Sequence, residues 1–205
     1  MRNPRVAGLA VVTLSALLGC ATAPPKASGS GLHARDFFPL AVGNTWKYAL
    51  QPAPPDGSPN VQVRILEKDA QGFYIDDQKG RLAPRSDGVF DGSKNRFILE
   101  EPIEVGHEWI AVPKDDPAIV EHYKIVDVAS SVHVPAGTFD GCVDVEASQS
   151  FPNHETGEKG TLKTTFSYAP GVGLVRVLEK IIPEKSDPIN AFEMDLVSFD
   201  LAKAK

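Results

Sequence analysis

The chain has 205 residues, 42% of them hydrophobic, two cysteines and a formal net charge of −6. That length suffices for one hydrophobic core, and two thiols are too few for a disulfide-stapled fold. The acidic balance, with no block of Lys or Arg to neutralise phosphates, argues against partners such as nucleic acid or an anionic lipid surface.

At the N-terminus, Arg2 and Arg5 precede an apolar run from Val6 to Leu18. A basic start followed by an apolar run too short to span a bilayer is the layout of a secretory signal. The run ends in Leu17-Leu18-Gly19-Cys20, where an ordinary cleavage site would read A-x-A. These four residues resemble the lipobox of bacterial lipoproteins. The resemblance implies lipidation of Cys20: its thiol is joined to a diacylglycerol, residues 1–19 are removed as a signal peptide, and the new amine is acylated, with palmitate the usual chain. Each buried CH₂ contributes about 0.8 kcal/mol, so several chains hold a protein firmly where one does not. Ala21 stands where an aspartate retains members of that family in the inner membrane. The localisation implied is therefore the outer membrane, facing the periplasm or the cell surface.

Taking 19 residues from 205 leaves 186, in which 19 Lys and Arg stand against 27 Asp and Glu, a net charge of −8. Cys142 is then the one remaining thiol, so the fold rests on packing alone. Residues 20–35 form the lipidated cysteine and a linker rich in Ala, Pro, Ser and Gly, including Pro24-Pro25 and Ser28-Gly29-Ser30-Gly31. Such composition buries too little apolar surface to offset ordering, which predicts a flexible tether reaching at most about 50 Å.

Residues 36–205 read as strands. Trp46, Tyr48 and Leu50 share one parity after Gly43-Asn44, and Val61, Val63 and Ile65 share another. Ile103, Val105 and Trp109 line an odd-numbered face; Phe139, Val143, Val145 and Ala147 alternate with polar residues, as do Leu162, Phe166 and Tyr168. Period-two alternation is the signature of half-buried strands. Phe192, Met194 and Leu196 hold one parity, then Val197, Phe199 and Leu201 the other, which predicts a bulge or a strand covered on both faces. Asp56-Gly57, Asp87-Gly88, Asp91-Gly92 and Pro170-Gly171 supply turns, and Val134-Pro135-Ala136-Gly137-Thr138 reads as a hairpin connection. Sixteen of the seventeen prolines follow the signal and leave almost no window for a long helix; only Asp115 to Lys124 has room for a turn or two, and Ile119-Val120 with Tyr123 fits a strand there as well. The fold class expected is all-β: a single antiparallel sheet domain, curved into a half-barrel or sandwich-like.

Three segments carry a second resemblance: Pro39 to Tyr48 (PLAVGNTWKY), Val134 to Cys142 (VPAGTFDGC) and Tyr168 to Val175 (YAPGVGLV). Their order and spacing resemble a group of uncharacterised bacterial envelope proteins, for which no catalytic residues are available to carry over. In architecture alone, such lipoproteins are similar to the half-barrel carriers that shield acyl chains in the envelope.

Chemistry-bearing motifs are sparse. His33, His107, His122, His133 and His154 form no close H-x-x-x-H pair, and no cysteine partners them, so neither a metal nor another cofactor is expected. On a regular strand Cys142 would share a face with Asp144 and Glu146, whose charges disfavour a thiolate; a bulge at Gly141 would turn it inward as a small apolar filler. No G-x-S-x-G, S-x-x-K or H-E-x-x-H motif occurs, and the adjacent carboxylates Glu100-Glu101 and Asp115-Asp116 point to opposite faces of a strand. Gly171-Val172-Gly173 opens a strand and reads as a turn. What remains is a spread of aromatics, among which Trp46, Tyr48, Trp109, Phe166 and Tyr168 are the candidates for an apolar groove. The expectation is a non-catalytic lipoprotein, not an enzyme, held to the membrane by its N-terminal lipid and binding a lipophilic small molecule or another envelope protein. The alternatives are a structural subunit of an envelope assembly and, behind it, an envelope hydrolase.

Overall fold

In the computed structural model, residues 31–55, 57–114, 118–152 and 159–202 are described. The lipobox with Cys20, most of the tether, Asp56, the Asp115-Asp116 pair and His154 lie outside the described residues. Among the described residues there is a single antiparallel sheet of twelve strands. They are β1 (Thr45–Gln51), β2 (Asn60–Lys68), β3 (Tyr74–Asp76), β4 (Arg81–Arg85), β5 (Gly88–Asp91), β6 (Arg96–Glu100), β7 (Glu108–Ala111), β8 (Glu121–Val134), β9 (Gly137–Pro152), β10 (Lys159–Ala169), β11 (Gly173–Pro183) and β12 (Ile189–Asp200). The helical element among them is one 3₁₀ turn, Ala34–Phe37.

The sheet order is β6-β5-β4-β3-β2-β1-β12-β11-β10-β9-β8-β7, so every ladder joins chain neighbours except β1 with β12. Two meanders of six strands are thus joined through the first strand and the last. The sheet curls further than a half-barrel, until its end strands β6 and β7 approach each other. No ladder joins that seam. Side chains hold it: Trp109 Nε1 donates to the Phe97 carbonyl at 3.1 Å, and Arg96 reaches across to Glu121 and Tyr123 on β8. Curling in this way buries the inner residues of each strand without a second sheet to cover them.

Alternation sets the inner face. Trp46 and Tyr48 are buried while Lys47 between them is exposed. On β12 the register shifts between Lys47/Tyr48 of the paired strand, leaving Val197 as the extra residue. Leu196 is fully buried and Val197 is exposed, so the change of parity in the sequence is a β-bulge. The hairpin β8–β9 turns at Pro135-Ala136 as its sequence predicts, with Val134 paired to Gly137. Its tip folds back on the neighbouring strands: Ala136 N donates to the carbonyl of Leu196 at the bulge, 3.0 Å away, and Arg176 on β11 donates to His133 O while pairing with Asp195.

Two expectations are revised. The domain starts before residue 36, because Ala34 is buried in the core and Leu32 packs against it. Residues 103–107 are a loop and not a strand: a turn at Gly106 (φ +96°) leaves Ile103 buried and Val105 61% exposed. Of the two readings of the stretch ending at Lys124, the strand is the one described there: Glu121–Lys124 belongs to β8.

Among the described residues, both hydrophobic clusters draw on positions between 32 and 201. One gathers Phe37, Leu99, Ile103, Trp109, Tyr123, Ile125 and Tyr168; the other gathers Trp46, Tyr48, Ile65, Val132, Val134, Cys142, Val175 and Leu196.

Candidate functional site

Inside the curled sheet lies a cavity of about 300 Å³, at the lower end of the roughly 300–1,000 Å³ common for small-molecule sites. Its wall is built from inward positions of successive strands: Trp46 and Tyr48 on β1, Val63 and Ile65 on β2, Tyr74 on β3, Leu82 on β4, Ile98 on β6, Phe166 and Tyr168 on β10, Leu174 on β11 and Met194 on β12. Phe38, Pro39 and Leu40 close one side. Phe166 and Tyr168, two residues apart on one strand, stack at 6.3 Å and 12°, and Phe38 packs on Tyr168 at 5.0 Å.

Several polar side chains of this wall are engaged with backbone. Trp46 Nε1 donates to Val172 O at 2.7 Å, and Tyr48 OH donates to Leu174 O at 3.1 Å. Asp76 accepts from the amides of Gln78 and Gly80, and Asp91 from those of Ser93 and Lys94. Burial raises the phenols of Tyr48 and Tyr168 far above their ordinary value. Neither offers an ionised oxygen at neutral pH. The wall therefore presents aromatic and aliphatic surface, with its donors already satisfied.

The three segments singled out by resemblance meet here. Pro39, Leu40, Trp46 and Tyr48 come from the first, and Tyr168, Gly173 and Leu174 from the last. They are joined by the two side-chain bonds just described and by Gly171 N donating to Asp36 O at 2.7 Å. Gly173 lies beside the Trp46 indole with φ +107°, a backbone conformation that favours glycine over any residue with a Cβ. Asn44, 1% exposed, clasps the ends of the domain, donating to Pro39 O and accepting from Ala202 N. The middle segment backs this region: Val134 and Cys142 lie in the same cluster as Trp46 and Tyr48.

Of the five aromatics expected to form a groove, Trp46, Tyr48, Phe166 and Tyr168 line the cavity. Trp109 does not. It sits at the seam, stacked on Tyr123 (5.2 Å, 8°) and on His107 (5.7 Å, 28°). Leu82, Ile98, Leu174 and Met194 line it as well; alternation along a strand does not say which inward residues face an open space.

At the far side of Phe166 the interior becomes polar. Arg96 donates through NH1 to Glu121 Oε2 (2.7 Å) and to Tyr123 OH (2.6 Å), and Tyr123 OH donates to the same carboxylate oxygen at 2.7 Å. Nothing local in the sequence signals this triad, whose members are brought together by closure of the sheet.

Cys142 is fully buried. Gly141 has φ +71° and the facing register shifts around Ser130, so the bulged geometry is the one adopted. Burial, with Asp144 and Asp140 adding to it, pushes the thiol up to about 11, which leaves an inert filler. The histidines disperse: His107 faces Glu100 at 3.5 Å, His33 faces Glu101 at 3.6 Å, and His133 contacts Thr138 Oγ1. Glu100 and Glu101 accordingly serve separate partners. Among the described residues, no group of three His, Cys, Asp or Glu side chains converges with metal-binding geometry.

No family model matches the chain, and no curated protein is similar to it. Two solved structures are similar. One is a candidate lipoprotein from Parabacteroides distasonis ATCC 8503, 15% identical, with TM-score 0.41 over 80% of this chain and 98% of that one. The other is a candidate exported protein with YmcC-like fold from Bacteroides fragilis NCTC 9343, 14% identical, with TM-score 0.43 and the same coverage of 80% and 98%. Neither description names a ligand.

Proposed function

We propose that this protein is a lipid-anchored, non-catalytic envelope lipoprotein whose barrel interior takes up a lipophilic ligand. The observation that carries the reading is the aromatic-walled cavity of about 300 Å³, in which the Trp46 indole N–H and the Tyr48 hydroxyl bond to backbone carbonyls. Such a wall rewards transfer of apolar area from water at about 25 cal/mol per Å², which after association costs corresponds to roughly micromolar affinity for a single chain. Residues 21–205 contain both clusters and provide the soluble form for testing. N-phenyl-1-naphthylamine, a neutral apolar fluorophore, binds this form saturably and is displaced by single-chain lipids. Phe166→Asp puts a carboxylate into the wall and weakens binding at least tenfold, since an unpaired charge in an apolar site costs several kcal/mol. An unchanged titration with this variant would reject the cavity as the binding site.

The anchor is tested separately. Cys20→Ser abolishes acylation, and the mass of the wild-type N-terminus shows a chain beginning at a diacylglyceryl cysteine. A chain starting elsewhere, or an unmodified Cys20, removes the lipoprotein reading. Ala21 favours the outer membrane over the inner.

A second reading, a subunit of an envelope assembly, is favoured by the outer surface of edge strand β7 and its surroundings. Val105 and Ile110 are 61% and 63% exposed there, with Val112, Val120 and Val126 also exposed. A stoichiometric protein partner in gently solubilised membranes, with the cavity empty, would favour it.

A further inference from the structure

A second space of about 260 Å³ lies on the other side of Phe166, which lines both. Strand register orders the two as layers along the barrel axis. Phe166 pairs with Val177, which pairs with Met194; Phe166 and Met194 of this layer border the first cavity. One step further along the barrel, Thr164 pairs with Glu179 and Glu179 with Phe192. Across the seam, Arg96 on β6 pairs with Asp91 and lines the second space. The first space is therefore apolar, and the second carries Lys94, Arg96, Glu121 and Glu179.

Of these four charges, Arg96 and Glu121 are spent on each other at 2.7 Å. Lys94 and Glu179 enter no ion pair among the described residues, although Glu179 accepts a 3.5 Å bond from Thr164. One cation, Lys94 in the turn between β5 and β6, and one anion, Glu179 on β11, thus remain beside the second space. The net charge of −8 that follows from 19 Lys and Arg against 27 Asp and Glu disfavours an anionic head through the overall field. A head carrying both signs escapes that penalty. Building on the apolar-ligand reading above, we propose that the ligand is a single-chain zwitterionic amphiphile. Its chain lies against Phe166, Trp46 and Tyr48, its anionic group meets Lys94, and its cationic group meets Glu179.

Four detergents with the same twelve-carbon chain test this on residues 21–205, below their micellar concentrations and at low salt. They are dodecylphosphocholine (zwitterionic), dodecyl sulfate (anionic), dodecyltrimethylammonium (cationic) and dodecyl maltoside (neutral). The proposal expects dodecylphosphocholine to bind about tenfold more tightly than dodecyl maltoside, with the two singly charged heads behind it. Lys94→Gln and Glu179→Gln each narrow that lead severalfold, and so does 1 M salt, which cuts the Debye length to about 3 Å. Equal affinity for all four heads, or a lead for dodecyl sulfate, overturns the zwitterion assignment and leaves the apolar cavity standing. Absence of binding by every chain overturns both. A lead for dodecylphosphocholine that neither variant alters overturns the assignment of Lys94 and Glu179.

Discussion

Arg96→Ala lowers the unfolding free energy by about 3–5 kcal/mol, the cost of breaking a buried ion pair from one side. The guanidinium and its partner Glu121 are 14% and 17% exposed, so the carboxylate left behind has little water to replace its cation. Tyr123 loses a bond at the same time. For a domain of this size the melting temperature falls by roughly 10 °C, at about 2–4 °C per kcal/mol. Removing both charges together, Arg96→Met with Glu121→Gln, recovers most of the loss, because neither half of the pair is then stranded. The check is denaturant titration of the two variants beside wild type, with the slope held constant. A cost below about 1 kcal/mol for the single change would make the pair an ordinary surface contact. Because the triad spans a seam with no ladder, hydrogen exchange in β6 and β7 should quicken more than in β10 and β11.

Trp46→Ala is expected to cost about 3–5 kcal/mol, as for other large aromatic truncations in cores. The indole is 7% exposed, belongs to the cluster that backs the cavity, and fixes the turn before β11 through its 2.7 Å bond to Val172 O. Trp46→Phe keeps most of the apolar contact and loses the bond, so it should cost about 1–2 kcal/mol. The pair separates the two roles of this residue. If Trp46 also shapes the ligand site, the phenylalanine variant folds and still binds N-phenyl-1-naphthylamine, but with altered affinity. If the alanine variant melts within 2 °C of wild type, the indole is not part of a packed core. Calorimetry and the fluorescence titration decide the two questions independently.

How much of this was legible beforehand follows from the range of each interaction. Alternation at Trp46-Tyr48, Val61-Val63-Ile65 and Phe166-Tyr168 depends on neighbours along one strand, and each of those strands formed with the expected face inward. The parity change at Leu196-Val197 was equally local, and a bulge stands there. Loop 103–107 shows the limit of the same rule: Ile103 and Val105 share a parity, yet the backbone leaves strand geometry at Gly106 and only Ile103 is buried.

The sequence by itself determined an all-β chain, the position of its hairpin at Pro135-Ala136 and the faces of most strands, because these are written in residues close together along the chain. Tertiary structure decided everything that joins distant strands. The pairing of β1 with β12, the meeting of Trp46 with Val172, the Arg96–Glu121 bond across the seam and the displacement of Trp109 from the cavity all depend on how far the sheet curls. Curvature is the sum of twist and bulges over twelve strands. No short window of residues carries that sum, so a buried aromatic and a ligand-facing one look alike until the sheet has closed.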